Sequence, residues 1–407
     1  MKTLPSGLRS VLFGVLAILA SCPAWALPPQ PVPVPEDSSL SPQINISGVG
    51  NVTGTYGRSA QQDKAQPGVD FSDSTLQIGA AQRLYGSAIG SMGFGMLTLG
   101  NDSAPGQTPF FLTQAFVDYQ AETFEVLIGR SDNPTAHLVD FPTLRDDDLF
   151  TLTNPLNPLS NGSIAQDHRY SNVGEVTLNQ GLKWFENIHA QQVGNTSGVA
   201  SASGINSFGV TFQYLSTPGM EAFSRFPSFG VGFEQFTPLG SASSGIHQVY
   251  GGGVLNLNDS VTDRWDMRVQ NIFTWGSSLQ NFGSLRDTFE ADSNSVATAL
   301  RYLHSPFGKP GYQVALTLGY KTYLKVGNAS TAGFALTAIK RLGEGFDLSA
   351  QYQGQWRDQT LSAVQSAGAS FEQVAQLGFI FNWDATFNRH ISPRRSILNQ
   401  QYQYIPN

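Results

Sequence analysis

The chain has 407 residues, a formal net charge of −7, 42 glycines, 11% aromatic residues and only 13% charged residues. So little charge beside so much glycine and aromatic side chain does not fit a soluble enzyme of this length, and the acidic balance disfavours nucleic-acid binding. The mean hydropathy is slightly negative, at −0.16. Beyond the N-terminus no run approaches the roughly 18 apolar residues that a spanning helix needs. A membrane protein without such helices must be a closed barrel, because only closure satisfies every backbone group in lipid.

The N-terminus reads as an export signal over residues 1–26. Lys2 and Arg9 sit in a basic start, Val11–Ala20 is apolar, and Ala24-Trp25-Ala26 forms a small-residue cleavage site before Leu27. Removing Lys2 and Arg9 with this segment takes the net charge from −7 to −9. Cys22 is the only cysteine, so no disulfide forms within one chain. Two processing routes stay open. Cleavage after Ala26 discards Cys22, whereas Leu19-Ala20-Ser21-Cys22 also reads as a lipoprotein box that would make Cys22 the lipidated first residue. Pro23, directly after the cysteine, favours the first route. Residues 27–42 carry Pro28, Pro29, Pro31, Pro33, Pro35 and Pro42 and read as an extended periplasmic lead-in. It is either a partner-binding arm or an unstructured approach to the barrel.

From Gln43 onward the chain breaks into short alternating runs. The pattern predicts strands at Gln43–Tyr56, Asp73–Leu84, Ile89–Leu99, Phe111–Gln120 and Phe124–Arg130. After a long connection, Ser131–His168, it predicts Arg169–Thr177, Leu182–Val193, Ile205–Tyr214, Ser228–Phe236, Ile246–Leu257 and Asp263–Thr274. The last five are Ser295–His304, Gly311–Thr322, Thr331–Lys340, Phe346–Trp356 and Phe371–Trp383. The total of sixteen is even, as a single-chain bacterial barrel requires, and the longer connections follow odd-numbered strands.

The clearest strands show two faces. Over Asp263–Thr274, Trp265, Met267, Val269 and Phe273 alternate with Arg264, Asp266, Arg268 and Gln270. Over Phe346–Trp356, Phe346, Leu348, Ala350, Tyr352 and Trp356 alternate with Asp347, Ser349, Gln351, Gln353 and Gln355. Aliphatics flanked by aromatics suit a lipid-facing band. A soluble sandwich would bury that same face as a dry core. The aromatic strand ends, the export signal and the final strand favour an all-β transmembrane antiparallel barrel spanning residues 43–383.

The final strand carries the most specific pattern. Gln376-x-Gly378-x-x-Phe381-x-Trp383 resembles the targeting signal on the last strand of Gram-negative outer-membrane barrels. In strand count, and in the position and length of the connection after the fifth strand, the chain is similar to the general trimeric porins. The resemblance implies an outer-membrane location and contact with lipid and lipopolysaccharide. It also implies insertion by the barrel-assembly machinery, a possible homotrimer, and a connection folded toward the lumen. The chain departs from the pattern in its tail, residues 384–407, which holds Arg389, His390, Arg394 and Arg395. That tail is a plug, a periplasmic contact or a segment packed along the rim.

About sixteen strands enclose an aqueous channel. Function then rests on what narrows and charges it. The long connection contains Asp140, Asp146, Asp147 and Asp148, and Pro134, Pro142, Pro155 and Pro158 would stiffen it. Acids at a neck would raise the local cation concentration; the same acids on a solvated outer loop would not. The facing wall would come from Arg83, Arg169, Arg264, Arg268, Arg301 and Lys321, any of which could instead pair with a wall acid, as Arg264 and Arg268 could with Asp266. The expectation is a weakly cation-preferring channel for small hydrophilic solutes or ions. The alternatives are a substrate-specific uptake channel with an aromatic track (Phe110, Phe111, Phe141, Phe150) and a structural or adhesive barrel without an open pore. No cofactor or metal motif is present. A lipid-hydrolase site is the enzymatic alternative, and nothing in the spacing of Ser, His and Asp singles one out.

Overall fold

The computed structural model describes residues 43–58, 65–70, 74–83, 92–101, 111–121, 124–132, 139, 141–142, 170–180, 184–192, 207–216, 223–236, 246–276, 281–282, 287–288, 292–306, 310–324, 330–343, 345–357 and 371–387. The export signal, the Pro-rich lead-in and residues 388–407 lie outside them. Sixteen long strands make one sheet. They are β1 (Gln43–Arg58), β2 (Ser74–Arg83), β3 (Met92–Asn101), β4 (Phe111–Gln120), β5 (Phe124–Asp132), β6 (Tyr170–Gln180), β7 (Trp184–Gln192) and β8 (Ser207–Leu215). They continue with β9 (Ser228–Phe236), β10 (Ile246–Asn256), β11 (Asp263–Trp275), β12 (Ser293–His304), β13 (Tyr312–Tyr323), β14 (Ser330–Gly343), β15 (Phe346–Arg357) and β16 (Phe371–Phe387).

Each strand pairs antiparallel with the next, and β1 pairs with β16 from Ile44↔Phe387 to Arg58↔Gln373. Every strand therefore has two neighbours, and the pairing returns on itself. Closure removes the unpaired edges that an open sheet would expose. Tight connections such as Ala121, between β4 and β5, and Gly345, with its positive φ of 69°, lie at one rim. The strand ends that the long connections join lie at the other.

Most strand boundaries shift by a few residues from those expected, and two differences are larger. The closing strand continues past Trp383 to Phe387, so Asp384–Phe387 pair with Ser47–Ile44. Within the expected polar loop Gly57–Ser72, Gln66–Asp70 forms a short strand against Thr53–Gly57. Pro67 and Gly68 made that stretch read as a loop.

The side chains are arranged inside out. On β11, Asp266, Gln270 and Thr274 are buried, while Trp265, Val269 and Phe273 are exposed. On β13, Gln313, Thr317 and Lys321 are buried, while Val314, Leu316 and Leu318 are exposed. Left in water, this apolar face would forfeit about 25 cal/mol for every Å²; against lipid it forfeits nothing. A sandwich would bury the opposite set, so the pattern is that of a barrel facing lipid.

Aromatics ring both ends of the outer face. At the short-turn rim Trp184 packs on Phe212 (5.1 Å between centroids), Tyr214 (4.9 Å) and Phe229 (5.6 Å), and Trp265 packs on Tyr302 (4.9 Å). At the long-connection rim His247 stacks on Trp275 (5.6 Å) and Trp356 meets Phe371 (4.7 Å). Rings with an apolar body and a polar edge belong at a lipid–water boundary.

Candidate channel lumen

The inward parity of the strands builds the lumen wall, and its charges are segregated. On β4, β5, β6 and β9 the inward side chains include Asp118, Glu125, Glu175 and Glu234. On β11 to β14 they include Arg264, Arg268, Arg301, Lys321 and Arg341. Asp118, Glu125 and Glu175 on β4 to β6 stand across the ring from the bases of β12 to β14, whereas Glu234 on β9 lies two strands from Arg264 and Arg268.

The basic wall is organised around Asp266, which is 0% exposed. Arg301 is its direct partner across β11–β12 and donates from Nε (2.9 Å) and Nη2 (2.6 Å) to one carboxylate oxygen. Arg268 donates from Nε to the other oxygen at 3.1 Å. Arg264 lies 3.7 Å away. The pairing of Arg264 and Arg268 with Asp266 is the wall role open to them from the sequence; Arg301 joins it through ladder register. Three guanidiniums on one carboxylate leave this patch cationic. Beyond it Arg341 pairs with Asp347 at 3.4 Å, and Lys321 is buried on the inner face of β13.

Of the other expected wall residues, Arg83 is the last residue of β2, and Arg169 is outside the described residues. Asp140, Asp146, Asp147 and Asp148 are outside them as well. In the closing strand Gln376 and Gly378 face inward, while Phe381 and Trp383 face outward.

The acidic wall holds residues that sequence reasoning passed over. Glu175 and His189 are ladder partners across β6–β7. Asn187, two residues from His189, joins them. Its amide nitrogen donates to Glu175 Oε2 (2.8 Å) and Thr177 Oγ1 (2.9 Å), and its oxygen lies 2.9 Å from His189 Nδ1. The His189 ring lies over Gly209 on β8, where any Cβ would collide with it. Further round, Tyr250 reaches from β10 to Thr211 on β8, hydroxyl to hydroxyl at 2.6 Å. Alternation of Glu175, Thr177, Asn187 and His189 with Val176, Leu178 and Ile188 was the available signal. On β14–β16 an amide lattice replaces charge: Thr337 donates to Gln351, which donates to Gln353 (2.8 Å) and Gln376 (3.3 Å).

Among the described residues two apolar clusters interrupt this polar interior. One is Phe116, Leu127 and Val173 on β4, β5 and β6. The other is Tyr250 on β10 and Ile272 on β11, and the third member of that cluster is Val139, from the long connection after β5. Phe141 and Val254 pack against it. Gly252 makes room: a Cβ there would come 2.8 Å from Val139 Cγ2. Val254 is the ladder partner of Arg268, so this contact lies beside the arginine patch.

Among the described residues no group of three or more His, Cys, Asp or Glu side chains could hold a metal ion. No family model matches the chain, and no curated protein sequence matches it. Solved structures do. An anion-selective porin from Comamonas acidovorans is 14% identical, with a TM-score of 0.57 over 84% of this chain and 100% of that one. The outer-membrane channel DcaP of Acinetobacter baumannii is 11% identical, with a TM-score of 0.58 over 84% and 98%. OmpF of Salmonella typhi is 12% identical, with a TM-score of 0.56 over 85% and 98%. At such low identity these likenesses give the fold, and the fold is that of a porin-like outer-membrane β-barrel.

Proposed function

We propose that the chain is an outer-membrane channel for passive diffusion of small hydrophilic solutes or ions, weakly cation-preferring, with no covalent step. The observation that carries this reading is the closed ring of sixteen strands with its polar side chains turned inward and its apolar ones outward. The porin and channel structures of the same fold support it. One of the similar structures is a trimer form, OmpT of Vibrio cholerae, and a homotrimer is part of the proposal. So are a cleaved signal over residues 1–26, insertion by the barrel-assembly machinery, and contact with lipopolysaccharide.

The connection after β5 folds into the lumen in this reading. Its support is Val139 packed on the inward side chains Tyr250 and Ile272. That contact seats the connection beside the arginine patch. Asp140 and Asp146–Asp148 would then neutralise the arginines rather than face them across the pore. The wall acids Asp118, Glu125, Glu175 and Glu234 would remain to favour cations. Single-channel conductance of the refolded chain in a planar bilayer under a salt gradient tests the proposal. Stable steps with a cation-favouring reversal potential are expected. A folded, heat-modifiable protein that passes no current would overturn it.

A further inference from the structure

We propose that the outer face of β11 to β14, at the short-turn rim, carries a site for one phospholipid whose headgroup holds both a phosphate and a primary ammonium. Asp263 takes the ammonium and Lys340 the phosphate. The site rests on the lipid-facing outer surface of the barrel and goes beyond the channel reading above.

The outward side chains of these four strands are apolar or uncharged, with three exceptions. Asp263 on β11 and Lys340 on β14 carry fixed charges, and His304 on β12 is titratable. The ladder puts all three in one row. Asp263 is opposite His304, His304 is opposite Tyr312, and Tyr312 is opposite Lys340. The row lies two residues outside the Trp265–Tyr302 pair, about 7 Å along the strand. Rings of that kind mark the lipid–water boundary, so charges one step beyond them stand at the depth of the headgroups.

Hydrogen bonds fix the acidic end of the row. Asp263 Oδ1 accepts from the Tyr302 hydroxyl (2.8 Å) and from His304 Nδ1 (2.7 Å), and Oδ2 accepts from the Thr262 hydroxyl (2.9 Å). A carboxylate only accepts, so His304 carries its proton on Nδ1. The His304 ring lies 5.0 Å from Tyr312, and Tyr312 lies 5.9 Å from Tyr302. The Asp263 side chain is still 48% exposed, and no Lys or Arg pairs with it among the described residues. Lys340 and Tyr312 are exposed as well, and no described acid pairs with Lys340. The carboxylate leans onto β12, and a lysine stem is long enough to lean onto β13. The two charges can therefore stand one to two strand spacings apart, about 5–10 Å.

An uncompensated anion and an uncompensated cation, parted by rings in one row, match a zwitterion lying along that row. Ammonium N–H groups donate to the carboxylate, and Trp265 and Tyr302 beside it add cation–π attraction. The phosphate meets the lysine as a point charge. A quaternary ammonium has no N–H to donate, and a glycerol headgroup brings no positive charge to Asp263.

Native mass spectrometry of the refolded full chain tests this. The chain is released from detergent holding equal amounts of phosphatidylethanolamine, phosphatidylcholine and phosphatidylglycerol with matched acyl chains. One phosphatidylethanolamine should be retained about tenfold over each of the others, the worth of one charge-assisted hydrogen bond. Asp263→Asn should bring phosphatidylethanolamine down to the level of phosphatidylcholine. Lys340→Gln should weaken retention of all three lipids alike. Glu186→Gln, an outward charge on β7, should change nothing. Variants are compared at the parent's folded electrophoretic mobility. Should Asp263→Asn fail to reach it, the parent's preference and Lys340→Gln still decide. Equal retention of the three lipids by the parent chain would overturn the site. So would retention that either folded variant leaves unaltered, and the row would then be rim charge solvated by water. Current is no part of this readout, so a failure here leaves the channel reading standing, and a silent channel leaves the lipid site standing.

Discussion

Asp266 shows how much a single lumen residue can hold. It is fully buried, and three guanidiniums converge on it. Removing the carboxylate strands Arg301, and breaking one partner from a buried pair costs about 3–5 kcal/mol. Asp266→Ala should therefore lower the urea midpoint of unfolding from vesicles. In the same protein one more uncompensated positive charge should move the reversal potential toward anions. An unchanged midpoint would mean that Arg301 finds another anion. The acids of the long connection are tested separately. Replacing Asp146, Asp147 and Asp148 with Asn should also shift selectivity toward anions, and a reversal potential that stays put would place those carboxylates outside the neck.

At the level of elements, the connection after β5 touches the wall through a small apolar contact set in polar surroundings. Burying Val139 is worth roughly 1.5–3 kcal/mol, while the barrel ladder does not depend on it. Val139→Asp should leave the unfolding midpoint close to that of the parent chain and raise both conductance and open-channel noise. A change in stability without a change in current would make the contact structural only. The strands themselves were legible in the sequence because most of them alternate and Gly-rich or Pro-rich stretches separate them, although the third, fourth and seventh alternate poorly. The strand carrying Trp265 to Phe273 could be assigned its two faces outright. The partners were not legible. Arg301 meets Asp266 because of the register between β11 and β12, which is fixed by hydrogen bonding across a long connection and leaves no mark in local sequence. Tyr250, Ile272 and Val139 were missed for a similar reason: apolar residues on the inward parity look like errors of alternation until a second segment covers them. The end of β16 was misplaced because Asp384, Ala385 and Thr386 break the apolar rhythm, although the backbone pairing with β1 carries on.

For the whole molecule, the ring is held by its first and last strands. Ending the chain at Phe387 should leave folding into vesicles unchanged, judged by heat-modifiable mobility. Ending it at Trp383 removes the backbone partners of Ile44 to Ser47 and should lower the folded fraction. Equal yields from the two would show that the pairing from Gly48 to Arg58 suffices. The pairing of β1 with β16 has a further consequence for the order of events in a cell. A chain leaving the ribosome from its N-terminus makes the last-needed partner last. Until Phe371–Phe387 has been synthesised and exported, β1 has an open edge, and the outward Leu, Val and aromatic side chains have no bilayer around them. Open edges and bare apolar faces are the conditions for aggregation. The arrangement that gives the finished protein no exposed edge therefore makes every shorter intermediate dependent on being kept unfolded until its final seventeen-residue strand arrives.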